Sequence, residues 1–503
     1  MLINALLFTQ VFCMCAAVFF WFYKSGNTFA ESGSLSIICV FMLLSFIRQI
    51  SFITGYSIIS TCIEAFFLIT SFILIFRYRS YIVNILDTLK RFRSENPISF
   101  IFLVLCFLYL AIHAFLPVPK EFQNTFYNVP DYQKSGFFSL GAVSEFSKFL
   151  PINHFILFNT FLGFETDSNA GLFCFLSYLS IGFSTYALAR RYSWPTIAFT
   201  TAILVMSIPR LVVQAISPDP EIISIAVALF CILAIYRSVE QPTLLDLILL
   251  ILGIFFCISE DISSMIFAPI LFFLSCVVLF RRHGMITWKS ILGKNLYAVF
   301  AVLPAAIFSQ CRLFLSPYFD KTPWSGPFSS ISFNNDGIQG ALANFIRYIF
   351  ESAYFTAPVD IFFEKIFKWS TAQTLESLYN FSVKPFSGEN GAAQVFHLTW
   401  MPNEMFSFGP VGFFLILPAL CYALLKAPRR LKSVAVALLV YFYLVCLIIA
   451  WEPGNATFLG IFYVCAGFSM AFFFPPWRFT KRINKIVQAI GCLLLFFMLL
   501  AAS

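Results

Sequence analysis

Residues 203–236 read ILVMSIPRLVVQAISPDPEIISIAVALFCILAIY: two apolar runs divided by the turn Ser217-Pro218-Asp219-Pro220-Glu221, which holds both acids of the stretch. A helix on a soluble surface shows a polar face every three or four residues, and the run after Glu221 shows none. Such a helix is buried on every side or lies in lipid. Working outward, comparable runs recur near 2–23, 33–53, 57–76, 97–117, 168–188, 195–216, 220–237, 243–259, 262–280, 296–314, 408–426, 433–451, 456–474 and 486–502. Each is long enough to cross a bilayer at 1.5 Å per residue. The expectation is an all-α polytopic membrane protein with about 14 transmembrane helices.

Composition agrees. Hydrophobic residues make up 60% of the 503 and charged residues only 11%, against about 25% charged in soluble chains. The 68 phenylalanines do not alternate with polar residues as a lipid-facing barrel requires, and only helices or closed barrels satisfy the backbone in lipid. The first run, Leu2 to Phe22, lacks a basic leader and a small-residue cleavage site, so it reads as a retained span. All 14 cysteines, among them Cys13, Cys62, Cys174, Cys311 and Cys492, fall in apolar segments, which makes them packing residues rather than a disulfide framework.

The net charge of +8 does not form a nucleic-acid face. Its carriers cluster at alternate turns: Arg77, Arg79, Lys90, Arg91 and Arg93; Arg190 and Arg191; Arg281 and Arg282; Lys426, Arg429, Arg430 and Lys432; Arg478, Lys481, Arg482 and Lys485. The positive-inside rule makes those turns cytoplasmic and both termini external. On this assignment about 21 of the 32 basic residues face inside and about 18 of the 24 acids face outside. The chain then divides into N-terminal spans (1–117), a first outer loop (118–167), a central bundle (168–314), a second outer loop (315–407) and C-terminal spans (408–503). Both loops exceed the length of simple turns, and Phe122, Phe126, Tyr127, Tyr132, Phe137 and Phe138 give the first one aromatic content suited to the membrane interface. Together they are expected to form a non-cytoplasmic cap over one cavity open to lipid and water. The stretch from Ile338 to Phe367 reads as helical.

No phosphate loop, dinucleotide fingerprint, HExxH or CxxC pair is present. His113, His154, His283 and His397 are too dispersed in sequence to suggest a metal site, and none is expected. Three outer turns carry acids: Asp131 near the fourth span, Asp219 and Glu221 between the sixth and seventh, and Glu260 and Asp261 between the eighth and ninth. Acidic turn residues often do no more than cap helix starts. Arg210 is harder to place that way, because it stands within an apolar run where a cation held at depth costs roughly 2.5 kcal/mol or more. Snorkelling to the interface is one resolution. The other is an anionic partner such as a lipid phosphate, held by Arg210 with Arg312 or Arg347.

Three stretches, in this order, carry a family likeness: Phe122-Gln123-Asn124-Thr125-Phe126-Tyr127-Asn128-Val129-Pro130-Asp131; Pro209-Arg210-Leu211-Val212-Val213-Gln214-Ala215 with Ser217-Pro218-Asp219-Pro220-Glu221; and Glu404-Met405-Phe406-Ser407-Phe408-Gly409-Pro410-Val411-Gly412. With the order of spans they cover about residues 97 to 475, and they resemble the membrane-embedded GT-C glycosyltransferases. The likeness is to the bacterial rhizobial lipopolysaccharide-type transferases and, more distantly, to the aminoarabinose and protein O-mannosyl transferases. It implies a sugar taken from a polyprenyl-phosphate carrier on the non-cytoplasmic face, inversion at the anomeric carbon, a carboxylate base in the first outer loop and no other cofactor. Many relatives show Trp-Asp ahead of Tyr-His, where this chain has Phe122-Gln123 ahead of Tyr127-Asn128. Asp131 is therefore the expected base and Glu145 the second candidate, with Glu221 at the place of the family's second outer-turn acid.

The expected site comprises Asp131 and Glu145 as catalytic groups, with Arg210, Glu221, Asp219, Tyr127, Asn128, Arg312 and Arg347 binding substrate. The partners are membrane lipid, the lipid-linked sugar donor and a glycan, lipid or protein acceptor, with no nucleic acid. The implied setting is a bacterial cytoplasmic membrane with the site facing the periplasm, in cell-envelope or lipopolysaccharide synthesis. The rival readings are a flippase or transporter of lipid-linked glycans, which would need ionisable groups at mid-membrane where only Arg48 and Glu64 stand, and a catalytically inactive relative.

Overall fold

A computed structural model describes residues 2–54, 57–114, 116, 153–162, 171–217, 219, 221–293, 332–354, 360, 364–383, 396, 398, 408–452, 455–474 and 481–502. Among these, every regular element is a helix, with one isolated antiparallel bridge between Phe333 and Ile449. Eight described helices are long and apolar enough to cross a membrane, or nine if one bent pair counts as a single span. Four shorter apolar helices, Leu244–Ile258, Val411–Lys426, Gly460–Phe473 and Lys485–Phe497, coincide with further expected spans. The run near 296–314 lies outside the described residues. The chain is a multi-pass α-helical membrane protein.

The N-terminal helices α1 (Leu2–Lys24), α2 (Phe29–Thr54) and α3 (Ser57–Arg77) pack on one another. Between α1, α2 and α3 lies the one pair of mid-span charges foreseen from sequence. Arg48 Nε stands 2.6 Å from Glu64 Oε1, its terminal nitrogen donates to Oε2 at 2.7 Å, and Gln10 adds a bond at 3.0 Å. A paired, hydrogen-bonded charge is the form in which apolar surroundings tolerate ions. A short surface helix, α4 (Ser80–Glu95), then leads to α5 (Pro97–Ala114).

In the first outer loop, the described part is α6 (Asn153–Leu162). It is inserted in the protein, with Leu157, Phe158 and Phe161 fully buried, while the aromatic stretch expected at the interface, Phe122 to Phe138, lies outside the described residues. The central bundle follows: α7 (Gly171–Ala189), α8 (Pro195–Met206), α9 (Pro209–Ile216), α10 (Glu221–Glu240), α11 (Leu244–Ile258) and α12 (Ile262–Gly293). Helix α10 is the hub, with α7, α11 and α12 around it and almost every residue from Ile222 to Val239 buried. This is why its sequence has no polar face. In lipid no water is expelled between helices, so close approach and hydrogen bonds hold the bundle. A Cβ at Gly182 would meet Met206 Sδ at 2.6 Å, and one at Gly253 would meet the Phe230 ring at 2.8 Å. Ser34 and Ser184 join α2 to α7 through a 2.6 Å hydroxyl bond.

The expected span over 195–216 is broken: α8 and α9 meet at 68°. Pro209 cannot donate to the helical ladder and biases the residue before it toward an extended conformation, which Ile208 adopts at φ −62°, ψ 123°. The polar groups freed at the break are answered locally. The Tyr178 hydroxyl donates to the Met206 carbonyl at 2.6 Å and Ser207 Oγ to the Leu204 carbonyl at 2.9 Å.

From the second outer loop the described helices are α13 (Gly337–Ala353) and α14 (Thr371–Ser382). The predicted single helix to Phe367 ends at Ala353. The C-terminal spans begin with a π-helical turn (Val411–Ile416) and α15 (Leu417–Lys426), followed by α16 (Arg429–Ile448), which carries α13 along it. Asn344 of α13 donates to the carbonyls of Cys446 and Ile449, both at 3.1 Å, so this part of the loop is tied to the C-terminal end of α16. The run over 456–474 is not one helix but 3-10 turns flanking α17 (Gly460–Ala466), then α18 (Met470–Phe473). A Cβ at Gly467 would stand 2.3 Å from Val205, an approach that only a glycine permits. Helix α19 (Lys481–Ala502) closes the chain against α5, α8 and α9. The 13 cysteines among the described residues are all free thiols.

Candidate functional site

Because α10 and α11 run antiparallel, the turn before α10 and the turn after α11 lie at the same end of the bundle. Both are acidic. The bend at Pro209 brings α9 to that end as well, and Arg210 and Gln214, four residues apart, share one face of it. That face meets Glu221: Arg210 donates to Oε2 at 2.6 Å and Gln214 Nε2 to the same oxygen at 2.7 Å. Arg210 is buried, and the Glu221 side chain keeps about a quarter of its exposure (24%). A carboxylate in the first turn of α10 also faces the positive end of the helix dipole.

Asp219 caps this start, its Oδ1 accepting from the Glu221 amide at 2.9 Å. Its carboxyl is pushed up to about 7, first by dense protein surroundings and then by the neighbouring Glu221 charge, with Arg210 acting against both. The second turn is built differently. Asp261 accepts from the amide and hydroxyl of Ser263, at 3.2 and 2.5 Å, and thereby opens α12. Burial raises its carboxyl, and Asp219 is near enough to contribute to the rise. Glu260, beside it, is fully buried, and neither of its carboxyl oxygens has a hydrogen-bond partner among the described residues. Burial, and then the neighbouring Asp261, push its carboxyl well above the usual carboxylate range.

Helix α6 docks on this second turn. The Asn153 amide donates to the Ser259 carbonyl at 3.0 Å, the His154 ring hydrogen-bonds through Nδ1 to the Glu260 carbonyl, and Gln49 of α2 donates to Asn153 at 2.6 Å. Burial pushes the His154 imidazole down to about 4, so it is neutral with its proton on Nδ1, facing the carbonyl. The first outer loop is thus attached to the acidic turn.

A fifth carboxyl comes from α13. Glu351 is pushed up to about 7 by burial, against a hydrogen bond from Trp451 Nε1 at 3.3 Å and the attraction of Arg210. One turn earlier, Arg347 is buried, with its guanidinium over the rings of Tyr379 at 5.1 Å and Trp451 at 5.5 Å and a bond to Asn344 at 3.1 Å. Arg347 therefore anchors α13 between α14 and the end of α16.

Of the expected site, Arg210, Asp219 and Glu221 converge, and Arg347 sits in the element that delivers Glu351. Asp131, Glu145, Tyr127, Asn128 and Arg312 lie outside the described residues. Gln214, Glu260, Asp261 and Glu351 join the cluster without having been assigned a role from sequence. The Arg347, Glu351 spacing on one helical face was the available signal for the last. Two of the quoted stretches also meet. Gly409 has φ +65°, a conformation that side chains disfavour, and a Cβ there would lie 2.9 Å from Pro209. The late Phe408-Gly409 segment thus buttresses the proline that aims Arg210. Among the described residues no group of three or more His, Cys, Asp or Glu is arranged to hold a metal ion. No family model matches the chain, and no curated protein or solved structure matches it either.

Proposed function

We propose that the protein is an integral-membrane glycosyltransferase of the GT-C type, moving a sugar from a polyprenyl-phosphate carrier to a glycan, lipid or protein acceptor at the non-cytoplasmic, periplasmic face. The observation that carries this reading is the convergence of Glu221, Asp219 and Glu351 on Arg210 at a broken span, with the acidic turn of Glu260 and Asp261 beside Asp219. A lipid-linked phosphate approaches from the bilayer, and a cation at the end of a span is where its charge is met. Arriving phosphate competes with the Glu221 carboxylate for the Arg210 guanidinium, whose planar donors suit either anion. Donor binding therefore exchanges one carboxylate partner for a phosphate.

In the transfer itself, the acceptor hydroxyl oxygen attacks the anomeric carbon from the side opposite the phosphate. The new C–O bond forms as the anomeric C–O bond to phosphate breaks, the bonding pair leaves with the phosphate, and the hydroxyl proton passes to a carboxylate base. That base must reach the hydroxyl within about 3 Å or through one water. Asp131 is assigned to it, with Glu145 second, as the carboxylates of the first loop, where the family likeness expects the base. The flippase reading has less support: Arg48 and Glu64 are bound to each other rather than lining a path.

Mass spectrometry of lipid co-purified with the protein should find a polyprenyl-phosphate sugar, and a transfer assay with that lipid should then separate the roles. Asp131→Asn should abolish transfer with the thermal midpoint unchanged, whereas Arg210→Ala should chiefly weaken donor binding. Bound sugar lipid without transfer by the wild-type chain would favour an inactive relative. Absence of any such lipid, together with full activity of both variants on another substrate, would overturn the assignment.

A further inference from the structure

We infer that α4 is a lipid-docking helix that lies in the membrane interface at the basic end of the bundle and selects anionic headgroups. None of its residues is buried, although Tyr81, Ile85, Leu86, Leu89 and Phe92 would ordinarily make a packed face. At roughly 100° per residue these positions fall on one arc, and the arc has two halves. Its inner half is held by the protein: Tyr81 meets the rings of Tyr23 and Tyr78 at 6.0 and 6.4 Å, and Phe92 meets Phe199 at 4.9 Å and Phe100 at 6.4 Å. Its outer half, Ile82, Leu86 and Leu89, is exposed.

Two observations identify what covers that outer half. The spans that precede and follow α4 also expose large apolar side chains, Phe72, Ile73 and Phe76 of α3 and Ile98 and Ile101 of α5, as lipid-facing surface does. A protein partner would have to displace lipid from both spans to reach it. The second observation is charge. Arg79, which already has helical dihedrals, and Lys90 and Arg93 fall on the flank of the same stripe, and long basic side chains there extend from the acyl boundary to the headgroups. Asp87, 3.4 Å from Lys90, is an exposed partner that a headgroup phosphate readily replaces. The aromatic contacts fix the helix's roll, so the stripe is presented to the bilayer rather than finding it by chance. This inference is independent of the chemistry at the acidic end.

The test uses the full chain in nanodiscs of equal phosphatidylglycerol and phosphatidylcholine, with the photocrosslinking amino acid benzoylphenylalanine in place of Leu86 or, as a control on the opposite face, Asn84. Adducts at position 86 should be phospholipid, with phosphatidylglycerol favoured on the order of tenfold, since each basic residue near an anionic surface is worth about fivefold before screening. Position 84 should give little lipid adduct. Combining Arg79→Gln, Lys90→Gln and Arg93→Gln should bring the two lipids near parity while elution and thermal midpoint stay those of the parent. A polypeptide adduct at position 86, or a lipid preference unchanged by the triple substitution, would overturn the proposal.

Discussion

The two ends of the bundle handle their charges in opposite ways. At the basic end, Arg191 of the turn after α7 bonds Glu31 at 2.7 Å and Glu240 at 2.8 Å, Arg237 bonds Asp246 at 2.8 Å, and Arg430 reaches Glu240 at 4.0 Å. Three acids face three arginines, and α2, α7, α10, α11 and α16 are tied together there. At the acidic end Glu221 bonds Arg210, Asp219 and Glu351 lie within reach of its charge, the next turn adds Glu260 and Asp261, and several of these carboxyls are displaced toward protonation. The balanced end is what a structural clamp requires. The end whose acids outnumber their cation is where groups with displaced titration fit the proposed site.

The largest effect should separate the ends directly. Arg191→Ala leaves Glu31 and Glu240 without their main partner, and should lower stability by roughly 3 kcal/mol, the scale for breaking a largely buried pair. Thermal unfolding monitored by size-exclusion should show the loss while donor binding per folded molecule stays unchanged; a loss of binding alone would remove the contrast between the ends.

Gly409→Ala should cost a comparable or slightly smaller amount, about 2 kcal/mol, from the positive φ and the encounter with Pro209. Here donor affinity should fall as well, because Pro209 fixes the direction of Arg210. Equal affinity in the variant would separate the late segment from the site.

The third effect is in pH. The Asp219 carboxyl rises from an ordinary 3.8 to about 7 on folding, so the folded chain holds that proton more tightly than the unfolded one. The resulting stability is complete below about pH 4 and is lost as pH rises through 7. Wild-type protein should therefore lose several degrees of thermal midpoint between pH 5 and 8, and Asp219→Asn should flatten the slope, since an amide oxygen can still accept from the Glu221 amide. An unaltered slope would move the titration to Glu351, which is displaced to the same range.

The smallest effect returns to the balanced end. Thr243 caps α11 by accepting from the Asp246 amide at 3.1 Å, and Thr243→Ala should cost about 1 kcal/mol, with no change in donor binding or pH slope.

Much of this was legible from sequence because bilayers impose simple demands. Apolar length pointed to the helices, and Arg191 and Arg430 meet Glu240, at the end of α10 away from Glu221. The cost of a cation in an apolar run singled out Arg210, and the acids after Pro218 singled out Asp219 and Glu221. Less legible were the breaks. The run over 195–216 is apolar enough to read as one span, and Pro209 interrupts it only because Tyr178, Ser207 and Gly409 accommodate the turn.

Composition, hydropathy and charge order by themselves determined that this chain is a multi-pass helical protein, because desolvating backbone and charge in lipid leaves few alternatives. Which acids meet was decided only by tertiary structure. Glu351 lies 130 residues beyond Glu221, and its own segment offers only the four-residue spacing from Arg347 as a signal. Its displacement arises from the burial that α13 acquires against α16, with the Trp451 hydrogen bond and the Arg210 charge acting against it. Electrostatic shifts depend on distance and on the surrounding medium, and neither exists until the helices are packed.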